Sequence, residues 1–165
     1  MKYDIEKIDN LRGNKGIDRD TIWNTAVDLS NSAEEIVPVT RHDIYLGSIR
    51  AYIALTKDRQ FAGLVRAKRT PYYHQPPVKA YWQIGTLVVP KIYQGNGIAT
   101  DLVKAITEDM VNNPSMSNPN LFAFVSDQSV KAFEANNYVP AVAGELPSPA
   151  KSQCGNPAVI RRADA

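Results

Sequence analysis

Between Val88 and Ala99 the chain reads V-V-P-K-I-Y-Q-G-N-G-I-A. An apolar, β-branched run stops at Pro90, a short loop carrying Gly95 and Gly97 follows, and a helical pattern begins after it. This junction suits phosphate chemistry. Successive backbone N–H groups in such a loop form a concave set of donors, and the helix N-terminus adds partial positive charge. A phosphate or pyrophosphate matches both features. Gly95 and Gly97 let the backbone approach that ligand with no Cβ in the way. Ala99 keeps the first helical turn slim.

Two familiar phosphate loops do not fit. A P-loop needs Gly-Lys-Ser/Thr, and none follows Gly97. A dinucleotide fingerprint needs a third glycine, where this chain has Thr100.

The elements around the junction follow from hydropathy patterning. Residues 80–89 (A-Y-W-Q-I-G-T-L-V-V) predict a long central strand, ended by Pro90. Ile98, Leu102, Val103, Ile106 and Met110 recur at helical spacing and predict a helix over 97–112. Residues 51–56 and 60–65 predict a hairpin around Lys57-Asp58-Arg59. A weak strand is expected at 3–8. A helix capped by Asp18 or Asp20 is expected to run through Leu29, and a short one to start at Thr40. Residues 69–79 carry Pro71, Pro76 and Pro77 and predict a loop, as do 113–120. A short apolar strand at 121–125 leads to a helix capped by Ser126 or Asp127 and running to about Asn136. Strands at 138–143 and 158–161 flank an expected mobile loop at 144–157. The pattern is that of one α/β domain over residues 1–165, a mixed sheet with flanking helices. The helix between the strands at 80–89 and 121–125 requires those two strands to pair in parallel.

The loop resembles the signature of the GNAT acyltransferase superfamily, Gln/Arg-x-x-Gly-x-Gly/Ala. Gln94-Gly95-Asn96-Gly97-Ile98-Ala99 matches it at every defined position. Q-F-A-G-L-V (Gln60 to Val65) looks like that family's third strand. L-F-A-F-V-S followed by S-V-K-A-F-E-A-N-N-Y resembles its fifth strand, fourth helix and sixth strand. The resemblance is best over residues 50–140. One departure is an extra residue between Pro90 and Gln94, which bears on the loop's shape. The resemblance implies the GNAT-like fold and transfer of an acetyl or other acyl group from acetyl-CoA to a primary amine in a ternary complex. Gln94, Gly95, Asn96, Gly97, Ile98 and Ala99 would hold the pyrophosphate. The pantetheine arm would pair along Leu87, Val88 and Val89, and a backbone N–H near Val88 or Val89 would polarise the thioester carbonyl. The acceptor, a small molecule or a protein amine, would enter beside the 66–79 loop. A non-catalytic acyl-CoA sensor of the same fold and an enzyme acting on nucleic acid are the alternatives.

The acid–base groups are thin. Matching Asn137-Tyr138 to the family's usual Gly-Phe places Phe133 where many members carry a tyrosine acid. Tyr138 or another tyrosine would have to substitute, or water would assist. Gln83 stands nearest to the family's usual glutamate base and can position a water but not take its proton. Between Asp58 and Asp101 there is no carboxylate, and His74 is the only group there that titrates near neutrality. His74 and Gln83 are therefore the candidate catalytic residues.

That same stretch holds Arg59, Arg66, Lys68, Arg69, Lys79 and Lys91 with Tyr72, Tyr73 and Tyr81 between them, although the whole chain carries only +2. Solvated strands with charged edges explain this bias, as would an acidic substrate or bases stacked on tyrosines. Cys154 is the only cysteine, which excludes an intrachain disulfide and a Cys-rich zinc site. Two histidines add little to a metal set, so no metal is expected. No apolar run is long enough for a membrane span or a leader, and a cytoplasmic monomer or dimer is expected. Trp23 and Trp82 are assigned to the core.

Overall fold

The computed structural model describes residues 1–8, 24–25, 27–29, 50–70, 81–115, 119–141 and 158–162. Their strands form one seven-stranded mixed sheet. The chain runs β1 (Tyr3–Lys7), β2 (Arg50–Thr56), β3 (Phe61–Thr70), β4 (Tyr81–Val88), α1 (Ile98–Val111), β5 (Asn120–Val125), α2 (Val130–Glu134), β6 (Tyr138–Pro140) and β7 (Ala158–Arg162). The spatial order is β1-β2-β3-β4-β5-β7-β6, so β4 is the middle strand. Among the described strands only β4 and β5 pair in parallel, which their helical crossover allows.

Alternation along the strands builds two cores. Ala54, Ala62, Val65, Ala67, Trp82, Ile84, Leu121, Ala123 and Val125 face α1, which lays Ile98, Leu102, Val103, Ile106 and Met110 on them. Each such large side chain contributes roughly 1.5–3 kcal/mol when fully buried, enough to fix the helix on the sheet. Ala51, Ile53, Leu55, Leu64 and Val88 face the other way, with Ile8, Val27 and Phe61 packed against them. Gly63 sets the closest approach of α1. A Cβ there would lie 2.9 Å from Leu102 Cδ1, 3.1 Å from Ile98 Cγ2 and 3.1 Å from the Val88 carbonyl oxygen.

Most element expectations hold, with shifted ends. β3 runs on to Thr70, into the segment expected as loop from residue 69, because β4 carries the ladder through Thr70↔Tyr81. Asn120 joins β5. Ser129, not Ser126 or Asp127, precedes α2: Ser129 and Val130 N–H both donate to the Ser126 carbonyl, which makes 126–129 a turn. α2 stops at Glu134 rather than near Asn136, and β6 stops at Pro140, which has no N–H to extend a ladder. β7 inserts between β5 and β6, antiparallel to both. Asn24, Thr25, Val27, Asp28 and Leu29 are helical, and Trp82 is core, as expected. The expected helix from Thr40, most of the 69–79 loop, the 144–157 loop, Trp23 and Cys154 lie outside the described residues.

Charge ties β1 and β2 to the C-terminal half of α1. Asp109 accepts from Lys7 Nζ at 2.9 Å and from Arg50 Nη1 at 2.7 Å. Burial alone would raise the Asp109 carboxyl, but the hydrogen bonds from Lys7 and Arg50 outweigh it and hold the group below its ordinary value. A depressed native pKa stabilises the fold above the unfolded-state value near 4, and this contribution is lost as pH falls through the lowered native value. Asp109→Asn should therefore destabilise the protein by about 1–3 kcal/mol near neutral pH. Urea unfolding across pH should show the gap from the parent protein closing as the pH falls below about 4.

Candidate functional site

β4 and β5 part company before either ends. Their register runs Tyr81↔Asn120 to Ile84↔Ala123 and stops there, while β4 continues to Val88 and β5 to Val125. From Gly85 on, β4 has no ladder partner on its β5 side among the described residues. The cause sits on the other edge of β4. Leu64 pairs with Val88 and Arg66 with Gly85, so Thr86 and Leu87 together oppose Val65 alone. That is a β-bulge, which bends and twists the strand that carries it. Thr86 takes φ 50°, a conformation costing a β-branched residue about 1–2 kcal/mol. Arg66 Nε donates to Thr86 Oγ1 at 2.6 Å, a charge-assisted bond of about 1.5–3 kcal/mol that can offset this strain.

The parted edge leads directly into the glycine loop. The extra residue after Pro90 is absorbed in one 3₁₀ turn, Lys91–Tyr93. Gly95 and Gly97 have φ 78° and 82°, and Gly97 is the N-cap of α1. The first intrahelical bond is Asp101 N–H to the Gly97 carbonyl, so the N–H groups of Ile98, Ala99 and Thr100 have no intrahelical acceptor. A Cβ on Gly95 would meet nothing within 4 Å, so open space lies beside it, while a Cβ on Gly97 would lie 3.6 Å from the Tyr3 hydroxyl. Side-chain amides hold the loop shape. Gln94 Nε2 donates to the Val89 carbonyl at 3.1 Å, and Asn96 Nδ2 to the Tyr93 carbonyl at 3.0 Å. The donors and the open space fit a pyrophosphate.

The structure thus brings together all nine residues expected at the cofactor loop and strand end. Leu87, Val88, Val89 and Ile98 commit their side chains to the cores. Gln83 lies one register step below the parting, on the face away from α1, and its Nε2 would lie 3.7 Å from a Cβ on Gly85. Its amide therefore reaches along β4 toward the gap. His74 lies outside the described residues. Phe133 is buried, with its ring 5.2 Å from that of Tyr138 in an edge-to-face pair. Tyr138 is 2% exposed and its hydroxyl lies 2.9 Å from Thr107 Oγ1, so it is bound into the α1-side core rather than offered to the gap. Of the cations in the carboxylate-free stretch, Arg59 pairs with Glu6 and Arg66 is buried on Thr86.

No local signal marks Tyr3 or Thr86, and Arg66 stands out in the sequence only as one cation of the carboxylate-free stretch. The Tyr3 hydroxyl donates to Asp101 Oδ2 at 2.6 Å and lies 3.3 Å from the Asn96 carbonyl oxygen, tying β1 to both the loop and the first turn of α1. No local pattern announces a contact across 98 residues. A cleft of about 430 Å³ on the β1 side of the loop, beside Lys2, Lys57 and Tyr93, is separate from the β4–β5 gap. Among the described residues no group of His, Cys, Asp and Glu could hold a metal, and no helix is long and apolar enough to cross a membrane.

The model of the acetyltransferase (GNAT) domain family matches residues 31–144, more than two thirds of the chain. The chain belongs to the GNAT acetyltransferase family. No curated protein matches its sequence. Solved GNAT structures share its fold at low identity. The NatC complex bound to Gag peptide and CoA is similar with a TM-score of 0.63 and 17% identity, over 98% of this chain and 96% of that one. Arabidopsis thaliana NAA60 in complex with acetyl-CoA gives 0.62 and 12%, over 97% and 96%. A histone acetyltransferase HPA2 and related acetyltransferase from Corynebacterium glutamicum gives 0.62 and 13%, over 98% and 95%. At these identities the likeness is one of GNAT fold.

The Tyr3 contact to this GNAT loop has a spectroscopic signature. Burial, the hydrogen bond to Asp101 and the Asp101 charge together push the Tyr3 phenol up to about 12. Its raised native pKa stabilises the fold fully below the ordinary value near 10 and loses that contribution as pH rises through about 12. In ultraviolet titration of phenolate, Tyr3→Phe should remove one tyrosine's worth of absorbance change near pH 12.

Proposed function

We propose that the protein is an acetyl-CoA-dependent N-acetyltransferase acting on a primary amine. The observation that carries the reading is the gap opened between β4 and β5 past Ile84↔Ala123, ending at a loop of donor N–H groups. The free edge Gly85–Val88 offers backbone groups to an extended pantetheine arm, as an added strand would use them. The amides of Gln94 to Ala99 suit the pyrophosphate. Bound acetyl-CoA supplies an activated thioester, whose carbonyl carbon bonds to the amine nitrogen as the C–S bond breaks and the CoA thiolate leaves.

The chain's own part is to bind, orient and polarise. The N–H of Val88 or Val89 aims a donor at the thioester oxygen. Gln83 holds a water or the amine on the face opposite α1, and His74 removes the proton. The GNAT neighbours bound to CoA and acetyl-CoA support the choice of donor. Phe133 and the buried Tyr138 favour a second reading, an acyl-CoA-binding module without turnover. Thioester cleavage assayed with a panel of amines separates the two.

Gly97→Glu puts a carboxylate into the phosphate cradle. Calorimetry should show CoA affinity falling at least about tenfold, the order expected for a close like charge. Unchanged affinity in a folded Gly97→Glu protein would remove the loop from the site.

General-base assistance is typically worth about a hundredfold or more. His74→Ala should lower kcat/KM by that order with the best amine of the panel. A decrease below about threefold would pass the proton path to water held by Gln83.

A further inference from the structure

We propose that Arg66 is a positioning residue for acyl transfer, its buried guanidinium holding the β4 bulge through Thr86 and so keeping β4 parted from β5. The inference rests on the acyl-transfer reading of that gap. Arg66 lies in β3 at the register position opposite Gly85, on the face away from α1, and is 6% exposed. Burying a guanidinium in a strand is costly unless it is well bonded. Here Nε makes a 2.6 Å bond to a residue in a conformation it does not choose unaided.

The residue in a left-handed bulge position is ordinarily glycine. Thr86 is β-branched, and its φ of 50° turns its Oγ1 onto the Arg66 face. Without that bond the preferred state of Thr86 is extended. An extended Thr86 removes the extra residue from the β3–β4 ladder. A one-residue change of register sends every following side chain to the opposite face. Leu87 now packs in the α1-side core and Val88 in the other. Both would have to exchange faces, and the N–H groups of Val88 and Val89 would turn with them. The loop at Gln94–Ala99 has its own ties, from Asn96 to the Tyr93 carbonyl and from Tyr3, and these do not involve Arg66. Arg66 therefore governs the reacting end of the donor site and not the phosphate end.

The test uses Arg66→Met, Thr86→Val and Thr86→Ser, with Thr86→Gly alone and combined with Arg66→Met. Two readouts are taken: CoA affinity by calorimetry, and kcat for thiol release from acetyl-CoA with water as acceptor. Arg66→Met and Thr86→Val should lower kcat at least tenfold while CoA affinity changes less than threefold. Thr86→Ser keeps the acceptor oxygen and should recover most of the rate lost in Thr86→Val. In the Thr86→Gly background, where glycine takes positive φ freely, adding Arg66→Met should change kcat less than threefold. If Arg66→Met fails to fold, Thr86→Val against Thr86→Ser decides. A kcat within threefold of the parent in Thr86→Val, or a full Arg66→Met effect in the glycine background, would overturn the proposal. Absence of both CoA binding and thiol release in the parent protein would overturn the acyl-transfer reading instead. Amide NMR then still tells whether Arg66→Met displaces Thr86–Val89 and leaves Gln94–Ala99 in place; unmoved Thr86–Val89 amides would overturn the role of Arg66.

Discussion

The middle strand of the sheet has to satisfy two neighbours that ask for different lengths of it. β3 pairs with β4 as far as Val88, whereas β5 pairs with it only as far as Ile84. A flat strand could zip to both. The bulge at Thr86 and Leu87 makes that impossible, because the added residue twists the strand away from its parallel partner while the antiparallel ladder resumes at Leu64↔Val88. The reacting end of the candidate site stands downstream of this conflict. The gap, the free backbone edge and the faces to which Leu87, Val88 and Val89 turn are all set by it.

α1 converts that local disturbance into a rigid frame. Its buried stripe runs along the sheet, and Gly63 lets it settle close to β3 beside the Val88 carbonyl. Its ends are secured separately, the first turn by Tyr3 on Asp101 and the last by Lys7 and Arg50 on Asp109. β1 contributes to both fastenings, which gives a short edge strand an importance its five residues do not suggest. Asn136, just past α2, donates to the Thr100 carbonyl at 3.0 Å and braces the same first turn from the other side. The first turn, with its donor N–H groups, is thereby tied both to β1 and to the segment after α2.

What could be read from the chain was what is local. The helical period from Ile98 to Met110, the hairpin turn at Lys57-Asp58-Arg59 and the Gln94–Ala99 loop each carry their own signal within a dozen residues. The parallel pairing of β4 and β5 was legible too, since parallel neighbours need a crossover of that length, although the helical residues between β1 and β2 join an antiparallel pair. The bulge was not. Threonine favours strands everywhere, and what turns Thr86 to positive φ is a side chain 20 residues earlier in another strand. The insertion of β7 between β5 and β6 was equally hidden. A short β-branched segment can pair with any open edge, and the choice is made by tertiary packing. Asn137 shows a signal present but unread: its φ of 64° is one asparagine tolerates well, just past the end of α2.

The buried pair of Phe133 and Tyr138 bears on how chemistry in the gap could run. A phenol that protonates a departing thiolate must reach it, and the Tyr138 hydroxyl is instead satisfied by Thr107 in the middle of α1. Moving it out would leave a buried hydroxyl unpaired on α1 and an aromatic contact broken, a cost of order 1–3 kcal/mol for the polar group alone. Acid catalysis matters most for poor leaving groups. A thiolate is a good one, its conjugate acid titrating near 8.5 in a free cysteine and so only slightly above neutral pH. In the proposed transfer to an amine the demand therefore falls on the other side of the reaction, on making the carbonyl electrophilic and the amine neutral. Polarisation by a fixed backbone N–H needs no proton transfer and no titrating group, only a strand whose twist is held. Under the proposed transfer, a site that does not use Tyr138 as its acid is more dependent on the geometry of Thr86 to Val89 than one that does.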